Sequence, residues 1–151
     1  MMKARLNAYT AAPDALKAMM ALEAYVQNCG LEKSLIHLVK MRASQINHCA
    51  FCLDMHSREA RKDGETEQRL YVLPAWRETK LFSDRERAAL AWTDALTLIS
   101  QTHAPDDVYE EAHAQFDDAE LTKLTVLIGA INTWNRIAIG FRMPLPVGKA
   151  A

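Results

Sequence analysis

No sign of charge dominates this chain of 151 residues: 18 Lys and Arg stand against 19 Asp and Glu, a formal net charge of −1. Without a basic stripe there is no electrostatic footprint for nucleic acid. Without a polybasic segment or an acidic tail there is none for an anionic membrane surface. The stretch Met1 to Pro13 lacks the apolar core of a signal peptide. The longest apolar stretch, Leu121 to Phe141, is interrupted by Lys123, Asn132, Asn135 and Arg136, which a bilayer span carries only at high cost. These absences predict a cytoplasmic protein with no nucleic-acid or membrane partner, in a compartment that keeps thiols reduced. Internal repeats, low-complexity segments and linkers are also missing, so residues 1–151 read as a single domain. Structural disulfides are therefore disfavoured, and a close pair among the three cysteines becomes a candidate for redox or metal chemistry.

Half of the chain is apolar and a quarter charged, an ordinary globular composition, and the length suffices to bury a core without staples. No stretch shows sustained period-two alternation with β-branched enrichment, so strands are unsupported. Helical signals are plentiful. Pro13 opens a helix that runs to Cys29 and stops at Gly30. A second spans about Leu31 to Ile46. The third starts near Asn47, a good N-cap residue, and ends at Gly64. The fourth, Glu65 to Glu78, bends or breaks at Pro74. Ser83 and Glu86 form a capping box that opens a long amphipathic helix reaching Ile99. Pro105 starts a short helix to about Phe116, and Asp117 to Glu120 caps the last and most apolar one, ending near Gly140. The segment Met143 to Pro146 is expected to be extended. The prediction is an all-α bundle of about six to seven helices.

The chemistry-bearing segment is Cys49-Ala50-Phe51-Cys52-Leu53-Asp54-Met55-His56. At about 100° per residue, Cys52 falls near 300° and His56 near 340° from Cys49, so all three share one helix face. With Asn47 as cap, both sulfurs lie in or near the first turn, where the helix dipole and an imidazole favour thiolate. A CxxC pair also closes to a disulfide and is reset by reduction. The plain alternatives are chance spacing and buried packing, and packing is the reading for Cys29. Zinc competes on ligand type. However, His48 lies about 100° off the face, and no second CxxC or HxxxH exists to complete four ligands. Leu53 stands where a c-type haem site needs histidine.

The run Val39 to His56, with its CxxCxxxH, resembles the signature of the alkylhydroperoxidase D-like proteins of the carboxymuconolactone decarboxylase superfamily. The similarity continues through Glu65 to Leu70 and Ser83 to Trp92 and returns at Ile131 to Arg136, so the core covers about residues 16–140. The resemblance implies an all-helical fold, homo-oligomers (trimers or hexamers) and thiol-dependent peroxidase chemistry. It implies Cys52 as the residue that attacks a small-molecule peroxide, Cys49 as the resolving thiol, and His56 as the histidine that assists proton transfer. An unidentified thiol reductant resets the pair, and no cofactor or metal is implied. The dipole argument instead favours Cys49 as nucleophile.

Two positions depart from the family pattern. His37 stands where members carry a glutamate at the distal end of the proton relay; it exchanges protons near neutral pH but supplies no standing negative charge. Phe51 replaces the histidine of the best-known peroxidase member. These departures motivate a rival reading, an oligomeric thiol protein that registers oxidant without turnover. The decarboxylase branch, which generally lacks the cysteine pair, matches poorly. Arg42, Gln45 and Asn135 are candidates for hydrogen bonds near the site, while Trp92 and Trp134 read as core or interface.

Overall fold

Caps set most of the helix starts. The structure, a computed structural model, describes residues 3–146. Asn7 accepts a hydrogen bond from the Tyr9 amide and opens the short α1, Ala8–Ala11. Pro13 occupies the first turn of α2, Pro13–Gln27. The next two helices are α3, Lys33–Ile46, and α4, Ala50–Lys62. Thr66 caps α5, Glu67–Val72, which passes into a 3-10 turn over Leu73–Glu78. Reciprocal capping boxes open α6, Asp84–Thr97 (Ser83 with Glu86), and α9, Asp118–Phe141 (Asp117 with Glu120). Between them lie α7, Ile99–Thr102, and α8, Asp106–His113.

All described regular structure is helical, as the sequence predicts, but it is more finely divided. Nine α-helices and one 3-10 turn appear among the described residues, against six to seven expected. α1 and α7 account for the excess, since four-residue helices leave no apolar period to read. Pro74 does end a helix, and the break falls at Ala75, whose φ of −112° and ψ of 32° are not helical. The helix after Pro105 stops at His113, three residues short of Phe116.

α3 runs through the middle of the bundle and packs on α4, α6 and α9, while α9 also lies against α2 and α6. Leu35, Ile36 and Val39 of α3 meet Ala88, Ala89 and Trp92 of α6 and Leu124, Leu127 and Ile128 of α9. On the other side Leu38 and Met41 join Leu73, Trp76, Phe82 and Leu90. Each fully buried Leu or Ile contributes about 1.5–3 kcal/mol of apolar transfer. Ion pairs tie the rim. Arg85 lies 4.0 Å over the Phe116 ring and donates to Glu32 at the start of α3 and to Glu120 in α9. A third, smaller cluster is the one that matters for chemistry: Cys49, Cys52 and Ala138, with Phe51 and Met143 against it.

Candidate active site

The site begins where α3 ends. Asn47 is the C-cap of α3 rather than the N-cap of α4. His48 then adopts φ of 55°, the left-handed conformation that terminates many helices and usually falls to Gly or Asn. The turn is closed by backbone bonds from His48 N to Gln45 O (3.2 Å) and from Cys49 N to Ser44 O (3.0 Å). Cys49 thereby becomes the N-cap of α4, and its sulfur faces the Cys52 amide at 3.4 Å.

A buried polar network holds this turn. The Asn47 side-chain amide donates to Asn132 Oδ1 and Asn135 Oδ1, both at 2.9 Å. Asn135 donates to Ser44 Oγ at 3.0 Å, and Asn132 donates to Thr97 Oγ1 at 3.1 Å. The turn is therefore tied at once to α3, α6 and α9, and each member has a partner, the condition under which a buried network rigidifies.

Cys49 and Cys52 are joined as a disulfide with Cα atoms 5.3 Å apart, a normal separation for such a bridge. Both residues are almost fully buried, at 1% and 2% exposure. Cys29 is a free, buried thiol that donates to Val26 O, the packing role predicted for it.

Cys52 forms part of the wall of a cleft of about 430 Å³; Cys49 is not in that wall. Tyr9, Met20, Phe51, Met55, Trp134 and Met143 supply its apolar surface. Its polar groups are few: His56, Glu59, Glu23 and Gln27. A mostly apolar concavity with a few convergent polar groups is the usual form of a small-molecule site.

His56 is buried, and its Nδ1 donates to Glu59 Oε2 at 2.9 Å. Among the described residues its Nε2 has no hydrogen-bond partner, and the residue forms part of the cleft wall. Glu59 is held below the usual carboxylate range, chiefly by that hydrogen bond, with burial opposing and the charges of Lys40 and His37 assisting. On the opposite wall, burial pushes the Glu23 carboxyl up. The bond and charge of Lys40, a bond from Gln27 and the charge of His56 outweigh it, so Glu23 also lies low. Glu23 Oε2 accepts from Trp134 Nε1 at 3.2 Å. Lys40 has 1% of its surface exposed and forms an ion pair with Glu23 Oε1.

The predicted site residues are thus only partly assembled. Cys49, Cys52 and His56 lie along the first two turns of α4. His37 is buried but lies outside the cleft wall and bonds Asp63 Oδ2 at 2.6 Å, beyond the C-terminal end of α4. That bond, with one from Lys33, holds the Asp63 carboxyl low. His37 Nδ1 and Gln45 Oε1 are buried without partners among the described residues. Arg42 serves α6 by bonding Asp94 at 2.6 Å. Trp92, a core residue, donates to the exposed Thr125, whereas Trp134, read from sequence as core or interface, forms cleft wall.

Sequence reasoning missed four polar residues at or beside the cleft: Glu59, Glu23, Gln27 and Lys40. Glu59 had a signal, the i,i+3 spacing to His56. Glu23 and Lys40 had none, because their pairing joins α2 to α3 across 17 residues. Among the described residues, no group of three His, Cys, Asp or Glu side chains is arranged to hold a metal ion.

Fold and site together define a helical dithiol–disulfide protein whose second cysteine opens on an apolar cleft. The chain belongs to the carboxymuconolactone decarboxylase family, whose model matches residues 13–95. The uncharacterised protein YdfG of Bacillus subtilis is 42% identical over 138 residues, 91% of this chain and 94% of its own length. A protein of unknown function from Agrobacterium tumefaciens, proposed to be the antioxidant defence protein AhpD, is 55% identical. Its structure superposes with a TM-score of 0.94 over 97% of this chain and 100% of that one. An uncharacterised peroxidase-related protein from Silicibacter sp. TM1040 shares the fold at 23% identity, with a TM-score of 0.79 over 91% of this chain and 73% of that one.

Proposed function

We propose that this protein is a thiol-dependent peroxidase that cycles between the Cys49/Cys52 dithiol and its disulfide. The observation that carries the reading is the wall of the cleft, where Cys52 and His56 are present and Cys49 is absent. A peroxide in the cleft meets the sulfur of Cys52. The Cys52 thiol passes its proton to His56 Nε2, the thiolate attacks the terminal peroxide oxygen, the O–O bond breaks, and His56 returns that proton to the alkoxide, which leaves as alcohol. Cys52 is then a sulfenic acid. The Cys49 thiol displaces its hydroxyl, releasing water and forming the disulfide, and an external dithiol returns two electrons and two protons. Glu59 keeps the His56 ring in one orientation, with Nδ1–H on the carboxylate and Nε2 on the reacting side. It supplies the carboxylate that position 37 lacks. The dipole argument for Cys49 as attacking group gives way here to access, because a nucleophile must reach its substrate. A cytoplasmic setting and assembly into trimers or hexamers belong to the same proposal.

The test uses pre-reduced Cys29→Ser protein and one equivalent of cumene hydroperoxide, with free thiols counted over time. Loss of two thiols within seconds, abolished by Cys52→Ser and reversed by dithiothreitol, is the expected result. Thiols lost only over hours, or equally fast in Cys52→Ser, overturn the assignment.

A further inference from the structure

The cleft has a charge pattern as well as a shape. Its apolar surface comes from three thioethers (Met20, Met55, Met143) and three aromatic rings (Tyr9, Phe51, Trp134). Glu23 and Glu59 bring two carboxylates to that surface, and among the described residues no Lys or Arg lines it. The cation nearest Glu23, Lys40, is 1% exposed and lies behind the carboxylate, where a ligand cannot meet it. Both carboxyls are held in the ionised form by their hydrogen-bonded partners. In the reduced protein the Cys52 thiolate adds a further negative charge on the same wall.

We propose that the cleft takes neutral, aryl-sized organic hydroperoxides and turns away those carrying a carboxylate or another anionic group. The hydroperoxide itself rests on the peroxidase reading; the choice of neutral over anionic belongs to the cleft alone. The volume of about 430 Å³ lies toward the small end of ligand sites. Methionine and aromatic walls adapt to a ring or a branched alkyl group. Each methylene buried there is worth about fourfold in affinity, a gain hydrogen peroxide cannot collect. A second negative charge placed among Glu23, Glu59 and the thiolate meets repulsion of about tenfold or more in affinity, even after screening.

The experiment separates binding from turnover. The Cys52→Ser protein, which cannot react, is titrated by calorimetry with 2-phenyl-2-propanol and with its para-carboxylate, two ligands of nearly one shape. The neutral alcohol is expected to bind about tenfold or more tightly than the anion. Glu59→Gln, in which an amide oxygen still accepts from His56, narrows the gap. Met20→Lys, at a residue 55% exposed on the rim, narrows it further or reverses it. Cumene hydroperoxide and its para-carboxylate are then compared as oxidants of the reduced, unsubstituted protein. Equal binding of the two alcohols, no binding of the neutral one, or thiol loss at equal rates with both hydroperoxides overturn the proposal. Selective binding of the neutral alcohol with no thiol loss from either hydroperoxide leaves the selectivity standing and refutes the peroxidase reading instead.

Discussion

Lys40 and Glu23 form an ion pair whose two ends are unequally buried, and breaking it from either end should have unequal cost. Lys40 is 1% exposed at its side chain and Glu23 27%. Glu23→Gln leaves a buried ammonium with only a neutral amide to meet it, so the loss is expected at about 3 kcal/mol, the lower part of the range for an orphaned buried charge. Lys40→Met leaves a carboxylate that water reaches and that keeps its bonds from Gln27 and Trp134. Its expected loss is about 1 kcal/mol, a charged hydrogen bond partly offset by better apolar packing. The double variant orphans nothing and is expected within about 1 kcal/mol of the parent, giving a coupling of about 3 kcal/mol in magnitude. The assay is urea unfolding of the oxidised protein at one fixed protein concentration, followed by far-UV circular dichroism. At an m-value of about 2–3 kcal/mol/M, the Glu23→Gln midpoint should fall by about 1–1.5 M. Equal losses for the two single variants, or a double variant no better than their sum, would refute the reasoning from burial.

Acid should weaken the fold in a defined direction. Glu23, Glu59, Asp63, Glu32 and Glu120 all titrate lower in the folded chain than in the open one. The unfolded chain therefore binds more protons in that window. The stability these groups contribute is complete above the ordinary carboxylate range of about 4 and is lost as pH falls through their lowered values. A melting temperature unchanged between pH 6 and pH 3 contradicts this. Asn135→Ala leaves Ser44 Oγ without its buried partner and removes one of the two acceptors of the Asn47 amide, and is expected to cost about 2–3 kcal/mol in urea unfolding; a loss under about 0.5 kcal/mol means the network is not structural. Glu59→Ala should slow peroxide-driven thiol loss about tenfold through misorientation of His56, and an unchanged rate removes Glu59 from the site.

The reading of the sequence succeeded where local rules act alone. Both capping boxes, the Pro74 break and the shared face of Cys52 and His56 follow from spacings of three or four residues. It failed where distant residues compete. Asn47 is a good cap by type, yet its side chain is drawn to Asn132 and Asn135, 85 and 88 positions away. The helix start consequently moves to Cys49. Those same two asparagines looked from sequence like interruptions of an apolar run and are instead its connection to the site. The bond from His37 to Asp63, 26 residues on, had no local signal either. The cleft was illegible for a similar reason, since Tyr9, Met20 and Met143 come from segments with no local mark of shared purpose.

Cys49 stands at a position most helices give to serine, threonine, aspartate or asparagine. Sulfur is a weak acceptor, so the reactive helix starts on an inferior cap. Replacing Cys49 by serine is therefore two changes at once: it deletes the bridge and improves the helix start. In the reduced state, where no bridge exists to lose, the serine chain should be the more stable by about 0.5 kcal/mol. Any comparison that treats Cys49→Ser as the simple removal of a resolving thiol will underestimate what the disulfide contributes to stability. The pair of measurements, oxidised and reduced, is needed to separate the bridge from the cap.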